Sequence, residues 1–179
     1  MRVLLVAAAL GGLIAACAAA ATDLNGHTVR LFTGDTTVVV FVRTDCPISN
    51  RYAPELKRLY RDYSSRVKMY LVYPDLAESA ELIRKHISEF NYPLTPLRDG
   101  DHRLVRLSKA RVTPEAAVFS GNGDLLYHGR IDDSYVDFGK FRAQPTRHDL
   151  RDALDAILRG AAVTRPSTHA IGCFLADIQ

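Results

Sequence analysis

Residues Thr36 to Val42 form an unbroken run of β-branched and aromatic side chains that ends at Arg43-Thr44-Asp45-Cys46-Pro47. A strand with no polar alternation is buried on both faces, so it belongs in the middle of a sheet covered by helices on each side. From Pro47 onward, Ile48, Tyr52, Leu56, Leu59 and Tyr63 recur at spacings of four, four, three and four, which draws one apolar stripe along a helix. Pro47 suits the first helical position, where its missing N–H is no loss, and Cys46 then caps the helix. Lys68 to Tyr73 reads as a second buried strand, and Ala80, Ile83, Ile87 and Phe90 mark a second amphipathic helix. Strand, helix, strand, helix implies a parallel pair.

Further along, Pro93 to Leu97 is a short extended piece and Arg103 to Lys109 a short helix. Ala116 to Phe119, the turn Ser120-Gly121-Asn122-Gly123-Asp124 and Leu125 to Ile131 read as an antiparallel hairpin. Thr146 and Asp149 form a capping-box pattern ahead of Leu150, Leu154, Ile157 and Leu158, so a last helix ends near Gly160. Asp23 to Leu31, with its Asn25-Gly26 turn, reads as a small leading hairpin. The expected architecture is α/β: a mixed central sheet flanked by helices, with an N-terminal hairpin and a C-terminal tail.

The first segment reads as an address. Met1-Arg2 precedes an uncharged apolar run from Val3 to Ala16, about 14 residues, which fits a signal-peptide core and is too short to span a membrane. Ala18 to Ala21 offer Ala-x-Ala cleavage sites, giving a leader of residues 1–21. Ile14-Ala15-Ala16-Cys17 also resembles a bacterial lipoprotein cleavage site, which would give a leader of residues 1–16 and make Cys17 a lipidated membrane attachment. The expected divisions are therefore this leader, a domain over 23–160 and a tail over 161–179. Export to the periplasm or an extracytoplasmic membrane surface follows, a setting that permits disulfides. The net charge of +3 comes from 23 basic residues interspersed with 20 acids, which offers no stripe for nucleic acid. The six histidines show no metal-ligand spacing, and no cofactor is expected.

Cys46 carries the chemistry. At a helix N-terminus, unpaired backbone N–H groups and the positive end of the helix dipole favour thiolate over thiol. Lowering a thiol pKa from about 8.5 to about 6.5 raises the thiolate fraction at neutral pH from roughly 3% to roughly 75%. That makes a nucleophile.

The strand-Cys46-helix junction, Pro54 eight residues after Cys46, the hairpin Asp23 to Leu31 and Val112-Thr113-Pro114 together resemble the thioredoxin fold. Within it, they are similar to the bacterial extracytoplasmic redoxins related to peroxiredoxins and to thioredoxin-like thiol-disulfide oxidoreductases. The resemblance covers roughly residues 23–160. It implies a helix-kinking role for Pro54 and a cis Pro114 facing the sulfur. It also implies a substrate groove shaped by Thr44, Pro47, Thr113 and Pro114, with Thr113 presenting its backbone to an extended polypeptide. The active site departs from both best-known patterns. Cys46-Pro47-Ile48-Ser49 has serine where thioredoxins carry a second cysteine, and Val39 and Arg43 stand where peroxiredoxins carry proline and a hydroxyl, Thr44 being one residue out of register. Redoxins of this type end in a similar Gly-Cys, so the resemblance also implies Cys173 as a resolving thiol for Cys46.

The expected function is an exported thiol-disulfide oxidoreductase acting on protein thiols or disulfides, with Cys46 as nucleophile and Cys173 as the candidate resolving thiol. The alternatives are a peroxiredoxin-like thiol peroxidase acting on peroxide with an external reductant, and a redox-silent protein-binding module. Arg43, Asp45 and Arg51 flank the cysteine with opposing charges that leave the electrostatic balance open. Arg130, Asp132 and Asp133 read as a solvated charged loop. The segment 132–145 is a long connection that either binds a partner or covers a sheet edge.

Overall fold

The computed structural model describes residues 19–175. The leader core and Cys17 lie outside the described residues. The chain runs β1 (Ala20–Thr22), β2 (Thr28–Arg30), β3 (Thr37–Phe41), α1 (Pro47–Arg51), α2 (Ala53–Tyr63), β4 (Lys68–Tyr73), α3 (Ala80–Phe90), β5 (Thr95–Arg98) and α4 (Arg103–Ser108). It continues through β6 (Val112–Thr113), β7 (Glu115–Phe119), β8 (Leu125–Gly129), β9 (Tyr135–Asp137), β10 (Lys140–Phe141), α5 (Asp149–Leu158) and β11 (Cys173–Phe174).

Seven strands form one sheet in the order β2-β1-β5-β4-β3-β7-β8. β4 is parallel to both β3 and β5, while β7 is antiparallel to β3 and to β8. The sheet is mixed because the two βα units give parallel neighbours and the Gly-Asn-Gly turn can only return antiparallel. All five residues of β3 are buried. Val38 and Val40, with Val42 just beyond the strand, point into a cluster with Cys46, Leu56, Leu59, Ile83 and Leu154, whereas Val39 and Phe41 point into a second cluster with Leu97, Leu104 and Phe119. Full burial of a leucine such as Leu56 contributes roughly 1.5–3 kcal/mol.

The stripe from Ile48 to Tyr63 is carried by two helices rather than one, with the break at Tyr52. Pro54 has no N–H to give Asn50, so the ladder is interrupted there, and Tyr52 N donates to Ser49 O in a tighter turn. The first strand of the leading hairpin is Ala20–Thr22, ahead of the Asp23 start expected from sequence, and it pairs with both β2 and β5. Ala19 and Ala21 are buried, and Ala19 O accepts from Leu31 N.

Two local expectations are corrected. Thr146 does not cap the last helix: His148 is its N-cap without a side-chain bond, and Thr146 Oγ1 donates to Asp133 at 2.7 Å instead. Asp132 and Asp133 are not solvated but buried, Asp132 accepting from Tyr52 Oη at 2.7 Å and Asp133 from Thr146 N and Arg147 N at 2.7 and 3.0 Å. These bonds pull the start of the 132–145 segment inward. Its β9–β10 hairpin is left outside with Val136, Phe138 and Phe141 exposed. Among the described residues, no helix is long and apolar enough to cross a membrane.

Candidate active site

Cys46 is the N-cap residue of α1, with extended backbone (φ −86°, ψ 108°) and Pro47 in the first turn. Its Sγ is held at 3.1 Å from Thr113 O. The Thr113–Pro114 bond is cis, and Pro114 links β6 to β7. The cysteine is completely buried.

The tail closes the site. β11 pairs antiparallel with β6 so that Cys173 stands opposite Thr113 and Phe174 opposite Val112, and Leu175 N donates to Arg111 O at 3.0 Å. This register packs the Cys173 side chain against the core cluster that contains Cys46, close enough for each thiol to influence the other's ionisation. Gly172 makes the approach feasible: a Cβ there would lie 2.2 Å from Thr113 O, with only backbone atoms to give way. Both cysteines are free thiols.

Burial alone would push the Cys46 pKa up. It is outweighed by hydrogen bonds from the Cys173 thiol, the Ser49 hydroxyl and backbone N–H, and the Thr113 hydroxyl, which together hold the Cys46 thiol below its ordinary range. Cys173 moves the opposite way. Burial, its hydrogen bond to Cys46 and the Cys46 charge push it up to about 12. The two shifts run in opposite directions, so Cys46 is the more readily ionised of the pair and Cys173 holds its proton more tightly. Neither the Ser49 nor the Thr113 hydroxyl has any conventional hydrogen-bond partner, which leaves both free for the sulfur.

A buried network fixes the loop that presents Cys46. Asn50 Nδ2 donates to Thr44 O at 3.2 Å, and Asn50 Oδ1 lies 2.8 Å from His86 Nε2. An amide oxygen can only accept, so His86 carries its proton on Nε2, and its Nδ1 accepts from Tyr73 Oη at 2.9 Å. Burial lowers the His86 pKa, consistent with a neutral ring. Glu78 Oε1 accepts from Thr44 N at 2.6 Å, and burial raises its carboxyl pKa. Tyr92 Oη donates to Ser49 O at 3.3 Å.

The sequence-derived residues are distributed as follows. Cys46, Cys173, Thr113, Pro114 and Pro47 converge around one sulfur pair. Thr44 is one step back, occupied by Glu78 and Asn50. Arg43 is held in ion pairs with Asp45 and Asp75, at 3.0 and 3.2 Å. Val39 packs on the sheet face opposite Cys46. Ser49, noted in the sequence only for what it could not do, emerges as a thiolate partner. Gly172 was visible only as the neighbour of Cys173, and Glu78, His86 and Tyr92 carried no local signal because they reach the loop from distant segments. Among the described residues, no three His, Cys, Asp or Glu side chains gather around one point as metal ligands would.

The class that this sheet, the cysteine-capped helix and the Thr113–Pro114 hairpin define is the thioredoxin-like fold. An uncharacterised conserved protein of Geobacillus kaustophilus superposes with a TM-score of 0.76 at 27% identity, over 89% of this chain and 88% of its own. A hypothetical protein of Sinorhizobium meliloti does so with a TM-score of 0.75 at 24% identity, over 89% and 91%. A secreted disulfide oxidoreductase of Mycobacterium tuberculosis matches more loosely, with a TM-score of 0.53 at 19% identity over 79% and 94%. No family model and no curated protein matches the sequence.

Proposed function

We propose that this chain is an exported thiol-disulfide oxidoreductase that works through an intrachain Cys46–Cys173 disulfide, with Cys46 as the nucleophile and Cys173 as the resolving thiol. The observation that carries this reading is the β11–β6 register, in which Cys173 stands opposite Thr113, the residue whose carbonyl accepts from Cys46 Sγ at 3.1 Å. The opposite pKa shifts of the two cysteines support it, since thiol–disulfide exchange is favoured by one readily ionised sulfur with a second sulfur nearby. The substrates are protein thiols and disulfides, a reading supported by the Mycobacterium tuberculosis neighbour being a disulfide oxidoreductase. A peroxidase reading gains nothing from Val39, which packs on the opposite sheet face, or from Arg43, which is taken up by Asp45 and Asp75.

The test is equilibration of the mature chain in dithiothreitol buffers of graded poise, followed by alkylation and tryptic mapping. The expected result is a single two-electron transition linking the peptide Thr44–Arg51 to the peptide Gly160–Gln179. A Cys46 that alkylates like a model thiol and never links to Cys173 refutes the reading.

Export rests on the leader, and the secreted neighbour supports it. Of the two cleavage positions, we favour the cut before Cys17. A cut after Ala21 would remove all of β1 but Thr22, a strand with partners on both sides, together with the buried Ala19 and Ala21. A chain beginning at Cys17 keeps β1 whole and carries its lipid a few residues ahead of the sheet.

A further inference from the structure

We infer that the sulfur which meets external thiols is Cys173, carried on a short hinged arm, and that Cys46 exchanges only with Cys173. This rests on the intrachain disulfide proposed above: Cys46 remains the nucleophile toward Cys173, while contact with external sulfur passes to Cys173.

Three observations carry it. First, access: Cys46 is fully buried beneath the tail, whereas Cys173 is partly exposed and its neighbour Phe174, at 77%, is the most exposed large apolar side chain among the described residues. Attack on a disulfide needs a straight approach to one sulfur, and only Cys173 offers one.

Second, attachment: the tail is clamped upstream and light downstream. His128 N donates to Pro166 O at 2.9 Å and Thr168 N to His128 O at 3.1 Å. Thr168 Oγ1 meets Tyr127 Oη at 2.7 Å and accepts from Arg130 N at 3.1 Å. Arg165 pairs with Asp149 at 3.2 Å. Gly129, at φ +138°, admits the tail so closely that a Cβ would lie 2.2 Å from Thr168 O. Beyond this clamp the arm is held by the two-residue β11, the Leu175 N to Arg111 O bond, and the packing of Ala170 and Leu175, fewer side-chain bonds than the clamp makes. His169, Ala170 and Ile171 therefore form the pivot, and the arm bearing Cys173 can lift while the clamp stays seated.

Third, chemistry: Ser49, Thr113 and the helix N-terminus surround Cys46 with donors, so Cys46 is the better leaving group of the two.

The exchange then runs as follows. A thiolate of a dithiol substrate attacks Cys173 Sγ; the Cys46–Cys173 bond breaks and its electron pair leaves on Cys46 as thiolate. The substrate sulfur is now joined to Cys173 in a mixed disulfide. The substrate's second thiol, after losing its proton to solvent, attacks its own sulfur in that bond, closing the substrate disulfide and releasing Cys173, which takes up a proton. Two electrons pass from the substrate dithiol to the cysteine pair. In the reverse path the lifted Cys173 loses its proton to solvent and attacks an external disulfide, releasing one substrate sulfur as thiolate; Cys46 thiolate then attacks Cys173, closing the Cys46–Cys173 bond and expelling the second substrate sulfur as thiolate.

The experiment uses the oxidised mature chain and reduced glutathione as the probe thiol, with quenching by acid and alkylation at early times. The two cysteines fall in different tryptic peptides, so mass mapping assigns the adduct. The expected result is glutathione on Cys173 in about tenfold or greater excess, with alkyl on Cys46. Glutathione on Cys46, or spread evenly over both, overturns the inference while leaving the intrachain disulfide intact. A starting chain with no Cys46–Cys173 link overturns the underlying reading instead.

Discussion

Replacing Gly172 by alanine isolates the contribution of the tail's close approach. The added Cβ would sit 2.2 Å from Thr113 O and 2.6 Å from Thr113 C, so β11 must withdraw by about 1 Å to reach ordinary contact. That withdrawal stretches the β11–β6 pairing and the Leu175 N to Arg111 O bond, two to three hydrogen bonds at about 1 kcal/mol each. The reduced arm escapes by lifting, a local loss that leaves the body of the domain intact, whereas the disulfide holds the arm in the clash, so roughly 2–3 kcal/mol falls chiefly on the oxidised form. At about 30 mV per 1.4 kcal/mol for a two-electron couple, the reduction potential should rise by about 45–65 mV, making the disulfide easier to reduce. The assay is a dithiothreitol-buffered redox titration read by alkylation and mass, with thermal unfolding of the reduced protein as the control. The melting temperature of the reduced form should barely change. A potential within about 10 mV of the parent would refute the reasoning, because the steric contact would then carry no weight in the couple.

Ser49→Ala and Cys173→Ala each remove a donor from Cys46, so the midpoint of its thiolate ultraviolet absorbance should move upward in pH in both variants; an unchanged midpoint in both would mean that the helix N-terminus alone sets the ionisation. In the parent, the lowered Cys46 pKa adds stability that is present above the unfolded thiol's pKa and is lost as pH falls through the folded one. The raised Cys173 pKa acts oppositely, weakening the fold above about pH 8.5. Asp133→Ala should lower stability in urea by about 2–4 kcal/mol, since it strands Thr146 N and Arg147 N. The Asp133 carboxyl is held at about 2, so its contribution is present above the unfolded value near 3.9 and disappears as pH falls toward about 2. A chain started at Asp23 lacks β1 and should melt well below one started at Cys17; equal melting temperatures would remove the argument for the earlier cleavage.

The buried strand, the cysteine cap and the βα alternation were legible because each is written in neighbouring residues with a period that local sterics enforce. Pro54 was readable as a kink, though its effect, two helices meeting at Tyr52, depends on a missing donor that periodicity does not register. The tail was legible only as a cysteine after a glycine. Its register against β6 depends on the space above Thr113, which no local pattern encodes. The same holds for Asp132 and Asp133: a run of two acids looks solvated until Tyr52, 80 residues away along the chain, supplies a hydroxyl. Thr146 failed as a cap for the converse reason, because Asp133 competes for its hydroxyl.

The clamp at residues 166–168 has a consequence for handling the protein. β8 is the outer strand of the sheet, and its exposed backbone at His128 is taken up by Pro166 and Thr168 of the same chain. An outer strand left open is a template for pairing with a second molecule. Shortening the chain at residue 160 to lay Cys46 bare would therefore also uncover that rim and trade a guarded thiol for a sticky monomer, whereas cutting after Ala170 would free the sulfur and keep the rim sealed.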